Sequence, residues 1–557
     1  MDKKNLATKK TFALAYQNYQ KGNFKAAENL YKKILKTNSN HFGSNFYLGT
    51  LLVQTRSLSL AKLLLQKAVQ INPNYAPAHN NLSGALKELG EYQKAIDCCQ
   101  KAIQINPNYA DAHNNFGAAL KELGEYQKAL SYCQKAIQIQ PNLSSAHINL
   151  GLIFQELGEY QKAIECYKKL SQVQPNSANP HQNLGKLYIV LGDTQRAISS
   201  YQDALKYEPE NLVYYYHLIE LKNEILDLKL RNKIDKILNE SNCTKVNLAY
   251  GNFLLSKYAQ KSKNYEKEFN YLLKGHQYYY ESEDNKKNKK HIQYWLNELP
   301  NAKELLNFNK FKKTIKKTNY KIKPIFIVGV PRCGSTLVEK IIASGTKTIP
   351  TGEEIGVIGT FVKEKLIKKK SSNLEIENFQ IKLSEMYKQK RLIHEKNDYT
   401  FTDKTLENFF YIGMIKEIFP HAKVINCKRS PLSSIMSILQ NNLPGVPWAH
   451  NLKHIFTYFD IYYKIINNFK KKFPNFIFEL NLDKLVNNPE TESQKLMKFC
   501  DLPWDKKCLE FYKRKDLISK TTSNIQIRKA INKDSIKKYL PYKQFLSKFG
   551  DKYNWFY

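Results

Sequence analysis

Long apolar runs are missing from this chain of 557 residues. No stretch reaches the 18 or more apolar residues that a membrane-spanning helix needs, so no membrane span is expected. The opening MDKKNLATKKTFALAYQNYQ also lacks the uninterrupted apolar core of a secretory leader. Cysteine is sparse and unpatterned. The nine cysteines show neither zinc-ligand spacing nor a disulfide framework, and the adjacent Cys98 and Cys99 cannot readily pair with each other. These absences lead to the expectation of a reducing, cytoplasmic setting with no metal. Acidic residues are few: 50 against 87 lysines and arginines, a net charge of +37. Such charge can draw nucleic acid or anionic membrane. Here the lysines are spread along the chain rather than gathered in an arm, so no nucleic-acid partner is expected.

What is present, first, is repetition. Pro73, Pro107, Pro141, Pro175 and Pro209 recur every 34 residues. Ala61, Ala95, Ala129, Ala163 and Ala197 hold one equivalent position, where a small side chain lets two helices approach. Gly90, Gly124, Gly158 and Gly192 end the first helix of each pair. A helix–turn–helix unit of that length is the tetratricopeptide (TPR) period. Segments 6–39 and 40–73 fit more loosely, so about six repeats are read over residues 1–209. Stacked units share one continuous core and form a solenoid. Residues 210–320 lose the period but keep helical apolar spacing, and read as a helical connector. Within them ESEDNKKNKKH reads as an exposed connection.

The second feature is GVPRCGST at 329–336, set between the apolar strand KPIFIVGV and a helix beginning near Ser335. A glycine-bearing turn before a helix aims backbone N–H groups and the helix dipole at whatever lies above, a cradle for phosphate. Gly329 and Gly334 have the Walker spacing, but Ser335 stands where the lysine should be. That argues against ATP or GTP, and the positive charge has moved to Arg332. A second strand–helix junction lies in AKVINCKRSPLSSIMS, where Arg429 ends the strand and Ser437 follows eight residues later. Ser430 and Pro431 have the types of an N-cap and a first helical residue.

These two motifs resemble the sulfotransferases that use 3′-phosphoadenosine 5′-phosphosulfate (PAPS), in particular the tyrosylprotein sulfotransferases and bacterial proteins that join TPR repeats to a sulfotransferase domain. The resemblance covers roughly residues 321–557. It implies an α/β, P-loop-like domain with a mainly parallel sheet behind the all-α TPR solenoid. It implies a sulfonate transferred from PAPS to a hydroxyl, with no metal. By the match, Arg332, Cys333, Gly334, Ser335 and Thr336 hold the 5′-phosphosulfate, and Arg429 and Ser437 the 3′-phosphate. TGEEIG supplies Glu354 as the catalytic base with Glu353 as its neighbour and possible substitute, and FTDKTLENF supplies Lys404 beside the sulfonate. TTSNIQIRKAINKDSIKKY resembles the segment that closes over the cofactor, with Ser523, Arg528, Lys529 and Lys538 at its polar positions.

Two departures matter. Leu482 stands where the family often has an aromatic residue against the cofactor. Gly356 and Thr360 stand where tyrosylprotein sulfotransferases carry arginines that read acidic peptides. The acceptor therefore stays open between a protein or peptide tyrosine, a glycan and a small molecule. A non-catalytic TPR scaffold with a degenerate nucleotide-binding domain is the alternative reading. Asn81, Asn115, Asn149 and Asn183 recur on successive first helices and resemble the peptide-holding ladder of protein O-linked glycosyltransferases. They are candidate peptide-binding residues on the concave face, although recently copied repeats would share them in any case. His79, His113, His147 and His181 form a parallel row, spaced too far apart to share a metal.

Overall fold

Twelve helices, from Lys3–Gln20 to Thr194–Tyr207, form six successive pairs. The structure is a computed structural model. It describes every residue except 1–2, 223–225, 283–284, 303–321, 364–378, 394–399, 515, 520, 522–525, 532–538 and 557. The chain divides into two compact units. One holds residues 1–187 and 199–209, and the other residues 188–198 and 210–557.

In the first unit Ala61, Ala129 and Ala163 are fully buried where paired helices meet. Gly90, Gly124 and Gly158 turn the chain between helices at φ of 75°, 79° and 76°, a region costly for residues with a Cβ. The histidine row has a structural task. His79, His113 and His147 each donate from Nε2 to the carbonyl of the proline six residues earlier, at 2.8, 2.9 and 2.8 Å. Each thus ties the end of one repeat to the helix that begins the next.

Two glycines here predict opposite outcomes. A Cβ at Gly117 would sit 2.5 Å from Cys133 Sγ and 2.9 Å from the Ala129 carbonyl, whereas one at Gly84 meets nothing within 4 Å. Gly117→Ala should cost about 1–3 kcal/mol through overpacking. Gly84→Ala should gain up to about 1 kcal/mol through helix propensity. Urea unfolding of the two variants checks the pair.

In the second unit the helices Leu212–Leu221, Leu228–Leu238, Lys245–Lys261 and Tyr265–Ser282 share one hydrophobic core with the sheet that follows. They are tied to it by polar contacts as well. Buried Glu268 accepts from Tyr542 Oη at 2.5 Å, Gln440 Nε2 at 2.7 Å and Gln260 Nε2 at 2.9 Å. The stretch expected as an exposed connection is largely helical, with a helix over Asn285–Gln293. Its period buries Asn288 while Lys289 and Lys290 stay exposed.

The sheet has four parallel strands, β1 (Lys323–Gly329), β2 (Thr400–Asp403), β3 (Lys423–Lys428) and β4 (Ile477–Asn481), in the order β2-β1-β3-β4. Its central strands are near-continuous apolar runs, as strands covered on both faces require. The chain leaves β1 for β2 on one side and later returns to β3 on the other. The carboxyl ends of β1 and β3 thus flank a crevice of the kind that holds ligands in open parallel sheets.

Candidate functional site

A cavity of about 620 Å³ opens at that crevice, within the size range of small-molecule sites. The turn after β1 builds its floor. Arg332 takes φ 68° and Gly334 φ 92°, and the helix Ser335–Ala343 starts directly after. A Cβ at Gly334 would sit 2.6 Å from Leu482 Cδ1. Leu482 therefore occupies the space a side chain at 334 would need. The left-handed backbone at Arg332 is uncommon for a non-glycine residue and collects at functional sites.

Two cationic side chains converge beside the turn. Arg332 donates from Nε to Ser437 Oγ at 3.1 Å. Arg429, at the end of β3, donates to the Arg332 carbonyl at 3.3 Å and lies 5.5 Å from the Tyr539 ring centre. Burial pulls the Arg332 guanidinium below its usual range. Tyr539 offsets this, Arg429 adds to it, and Glu220 and Tyr216 oppose it. Arg429 Nε is buried without a hydrogen-bond partner. An orphaned charged donor beside a second arginine and a serine hydroxyl fits an anion with several acceptor oxygens.

Lys404 forms a second cluster. Residues 350–354 run alongside β2. Thr402 N–H donates to the Pro350 carbonyl, Lys404 N–H to the Gly352 carbonyl and Glu354 N–H to the Lys404 carbonyl, at 3.0, 2.8 and 3.1 Å. This pairing brings both glutamates to the lysine. Lys404 Nζ, itself buried, lies 3.1 Å from Glu353 Oε1, 3.0 Å from Glu354 Oε1 and 3.4 Å from Thr336 Oγ1. Burial alone would lower the Lys404 ammonium. Glu354, Glu353 and Glu339 outweigh it and hold the group well above the usual lysine range.

The two glutamates are not equivalent. The Glu353 side chain is 7% exposed and the Glu354 side chain 41%. Glu353 also accepts from Ser519 Oγ at 2.8 Å and Thr521 Oγ1 at 3.3 Å, so its oxygens face a neighbouring segment. Glu354, held at φ 52°, lines the cavity.

Residues 324–506 match the sulfotransferase family, and residues 12–76, 64–97, 84–124, 108–176 and 142–207 match tetratricopeptide repeat families. The chain joins a TPR array to a sulfotransferase-family domain. An uncharacterized protein of Aquifex aeolicus (strain VF5) is 29% identical over 336 residues; the match takes in 56% of this chain and 42% of that relative. Among solved structures, the chain is similar to MamA at 30% identity with a TM-score of 0.26, covering 29% of this chain and 94% of MamA. It is also similar to TTC0263, a thermophilic TPR protein in Thermus thermophilus, at 21% identity with a TM-score of 0.30, covering 32% and 98%.

In the sulfotransferase domain, Arg332, Gly334, Ser335, Thr336, Glu354, Lys404, Arg429, Ser437 and Lys529 all line the one cavity. Cys333 does not. It is fully buried beneath the turn, its N–H donates to the Val330 carbonyl, and its sulfur fills the space next to Gly329. Arg528 also points elsewhere: its Nη2 donates to the Val190 carbonyl at 3.3 Å. Ser523 and Lys538 lie outside the described residues. Among the described residues, no group of three or more histidines, cysteines, aspartates or glutamates is placed to hold a metal. No helix among them is long and apolar enough to cross a membrane.

Several contributors carried no local sequence signal. Tyr539 flanks Arg429, and Tyr216 and Glu220 come from a helix more than a hundred residues ahead of the turn. Glu407, on the 3₁₀ turn Leu406–Tyr411, lines the cavity, and burial followed by the charge of Glu354 raises its carboxyl to about 7.

In the TPR array the asparagine row is part of an inter-repeat network. Asn115 Nδ2 donates to Asn80 Oδ1 and Asn149 Nδ2 to Asn114 Oδ1, both at 2.8 Å, while Asn81 Nδ2 donates to Thr50 Oγ1 at 2.9 Å. Asn183 Nδ2 turns back to the Asn179 carbonyl at 3.0 Å. Asn81, Asn115 and Asn149 therefore stitch neighbouring first helices together, whereas Asn183 bonds within its own helix.

Proposed function

We propose that this protein transfers a sulfonate from PAPS to an acceptor hydroxyl, with the catalytic part in residues 321–557. The observation that carries the reading is the pair of anion-accepting clusters at the ends of β1 and β3. The N-terminus of the helix Ser335–Ala343 with Ser335, Thr336 and Lys404 suits a 5′-phosphosulfate. Arg429, with its orphaned Nε, and Ser437 suit a 3′-phosphate. Lys529 is a further cation for the bound nucleotide. Leu482, against Gly334, offers an apolar surface to an adenine in place of an aromatic one.

PAPS, once bound, would supply the sulfonate and a good leaving group. The protein's own residues do the rest. Glu354, the more exposed of the two glutamates, takes the acceptor proton. Lys404 and Arg332 stabilise negative charge as it develops on the phosphate side. Glu353 positions Lys404, Ser519 and Thr521. The TPR array offers a surface for a protein or peptide partner, with its asparagine row as candidate backbone-binding groups.

Calorimetry tests the donor assignment. The product nucleotide, 3′-phosphoadenosine 5′-phosphate (PAP), should bind at least about 10-fold more tightly than AMP, since one charge-assisted contact contributes about 1.5–3 kcal/mol. Equal affinities would remove the reading.

A further inference from the structure

Behind the site lies a carboxylate that the chemistry above does not use. Glu339, on the helix Ser335–Ala343, is fully buried and does not line the cavity. Burying a carboxylate is costly unless it is paired and hydrogen-bonded. Its two oxygens have different partners. Oε1 accepts from the fully buried Thr402 Oγ1 at 2.8 Å, and Oε2 faces the ammonium of Lys340, also buried, at 3.6 Å. Oε2 has no hydrogen-bond partner among the described residues, so a proton placed there would have no acceptor. The arrangement suits the ionised form.

From Thr402 the contacts lead to the site. Its hydroxyl proton points at Glu339, which leaves the oxygen to accept from Gly352 N–H at 3.2 Å. Its own N–H donates to the Pro350 carbonyl at 3.0 Å. Thr402 thus holds the 350–352 stretch from two atoms. Gly352 approaches so closely that a Cβ there would sit 2.5 Å from the Thr402 carbonyl oxygen. Two residues on, Glu354 is held at φ 52°, a backbone region that a non-glycine residue keeps only where its surroundings enforce it. Without Glu339 the Thr402 hydroxyl is free to turn its proton toward Gly352 N–H, donor against donor, and that anchor is lost. Lys340 has a matching task on the other side. Its Nζ donates to the Ile518 carbonyl at 2.9 Å, next to Ser519, which donates to Glu353.

We propose that Glu339 is a positioning residue for the transfer reaction: by fixing the direction of the Thr402 hydroxyl it anchors Gly352, and so holds Glu354 against Lys404 and toward the cleft. This rests on the sulfonate-transfer reading above and deepens it by adding a residue that acts only through others. A carboxylate suits the task better than an amide. Glutamine must turn its NH₂ either toward Thr402, where it meets a donor, or toward the Lys340 ammonium.

The test uses the full chain with labelled PAPS as donor and a heat-inactivated lysate of its own cells as acceptor mixture, at one fixed lysate concentration. Thr402→Val and Glu339→Gln should each lower the maximal rate about 10–100-fold, the scale of a misplaced reacting group. KM for PAPS and calorimetric PAP affinity should stay within about threefold of wild type. Thr402→Ser, which keeps the hydroxyl, should recover the rate to within about threefold. The double variant Glu339→Gln/Thr402→Val should be no slower than the slower single variant, because both act through one bond. Wild-type rates in Thr402→Val and Glu339→Gln, equal losses in the Ser and Val variants, losses confined to KM or PAP affinity, or losses that multiply in the double variant would each overturn the proposal. If Glu339→Gln does not fold, the contrast between Thr402→Ser and Thr402→Val decides. Wild-type label transfer and the preference for PAP over AMP are measured alongside. Absence of either removes the sulfonate-transfer reading itself, whereas the outcomes above remove this proposal alone.

Discussion

Glu354→Gln slows sulfonate transfer by about 10²–10⁴-fold, the range a positioned general base contributes, while PAP affinity stays within about twofold. The amide keeps the size and hydrogen-bond reach of the side chain but cannot take the acceptor proton. Glu353→Gln is the contrast. Glu353 is nearly buried and accepts from Lys404, Ser519 and Thr521. Its loss loosens Lys404, Ser519 and Thr521, so it should lower thermal stability and affect PAP affinity, with a smaller fall in turnover. Single-turnover rates with labelled PAPS, alongside calorimetry with PAP, separate the two variants. If Glu353→Gln is the one that loses turnover with PAP binding intact, the base has been assigned to the wrong carboxylate.

Arg429→Met lowers PAP affinity by about 10–100-fold and leaves AMP affinity nearly unchanged, because a lost charge-assisted contact costs about 1.5–3 kcal/mol. Methionine retains much of the arginine's apolar stem but supplies no donor and gives up the guanidinium's place over the Tyr539 ring. The AMP measurement matters because Arg429 also donates to the Arg332 carbonyl. A collapse of the turn would weaken both nucleotides together, whereas loss of a 3′-phosphate contact weakens only the doubly phosphorylated one.

Both predictions rest on residues legible in the sequence. Arg332, Lys404 and Arg429 follow the ends of β1, β2 and β3, Glu354 is paired to Lys404, and Ser437 lies on the helix Pro431–Gln440 that follows β3. The TPR array was legible through its 34-residue period and its buried alanines, and the central strands through their apolar runs. Elsewhere spacing was a poorer guide. Cys333 lies within the turn motif, yet its backbone N–H closes the turn and its sulfur packs beneath it. Arg528 lies beside Lys529, yet only Lys529 reaches the cavity. Glu407 carried no signal of its own in the sequence, since burial and the nearby Glu354 decide its state.

Period, strand pattern and turn chemistry are local properties, so the chain by itself determined the repeat array and the two apolar strands, while the parallel sheet and the segments that meet at its edge were implied by the family resemblance. The direction of each side chain there was left to tertiary contacts. Bonds from Ser519 and Thr521 draw Glu353 inward, the pairing with Lys404 leaves Glu354 facing the cleft, and burial beside Glu354 lifts the Glu407 carboxyl. Those partners are separated by up to 168 residues in the sequence, and only folding brings their charges close enough to act on one another.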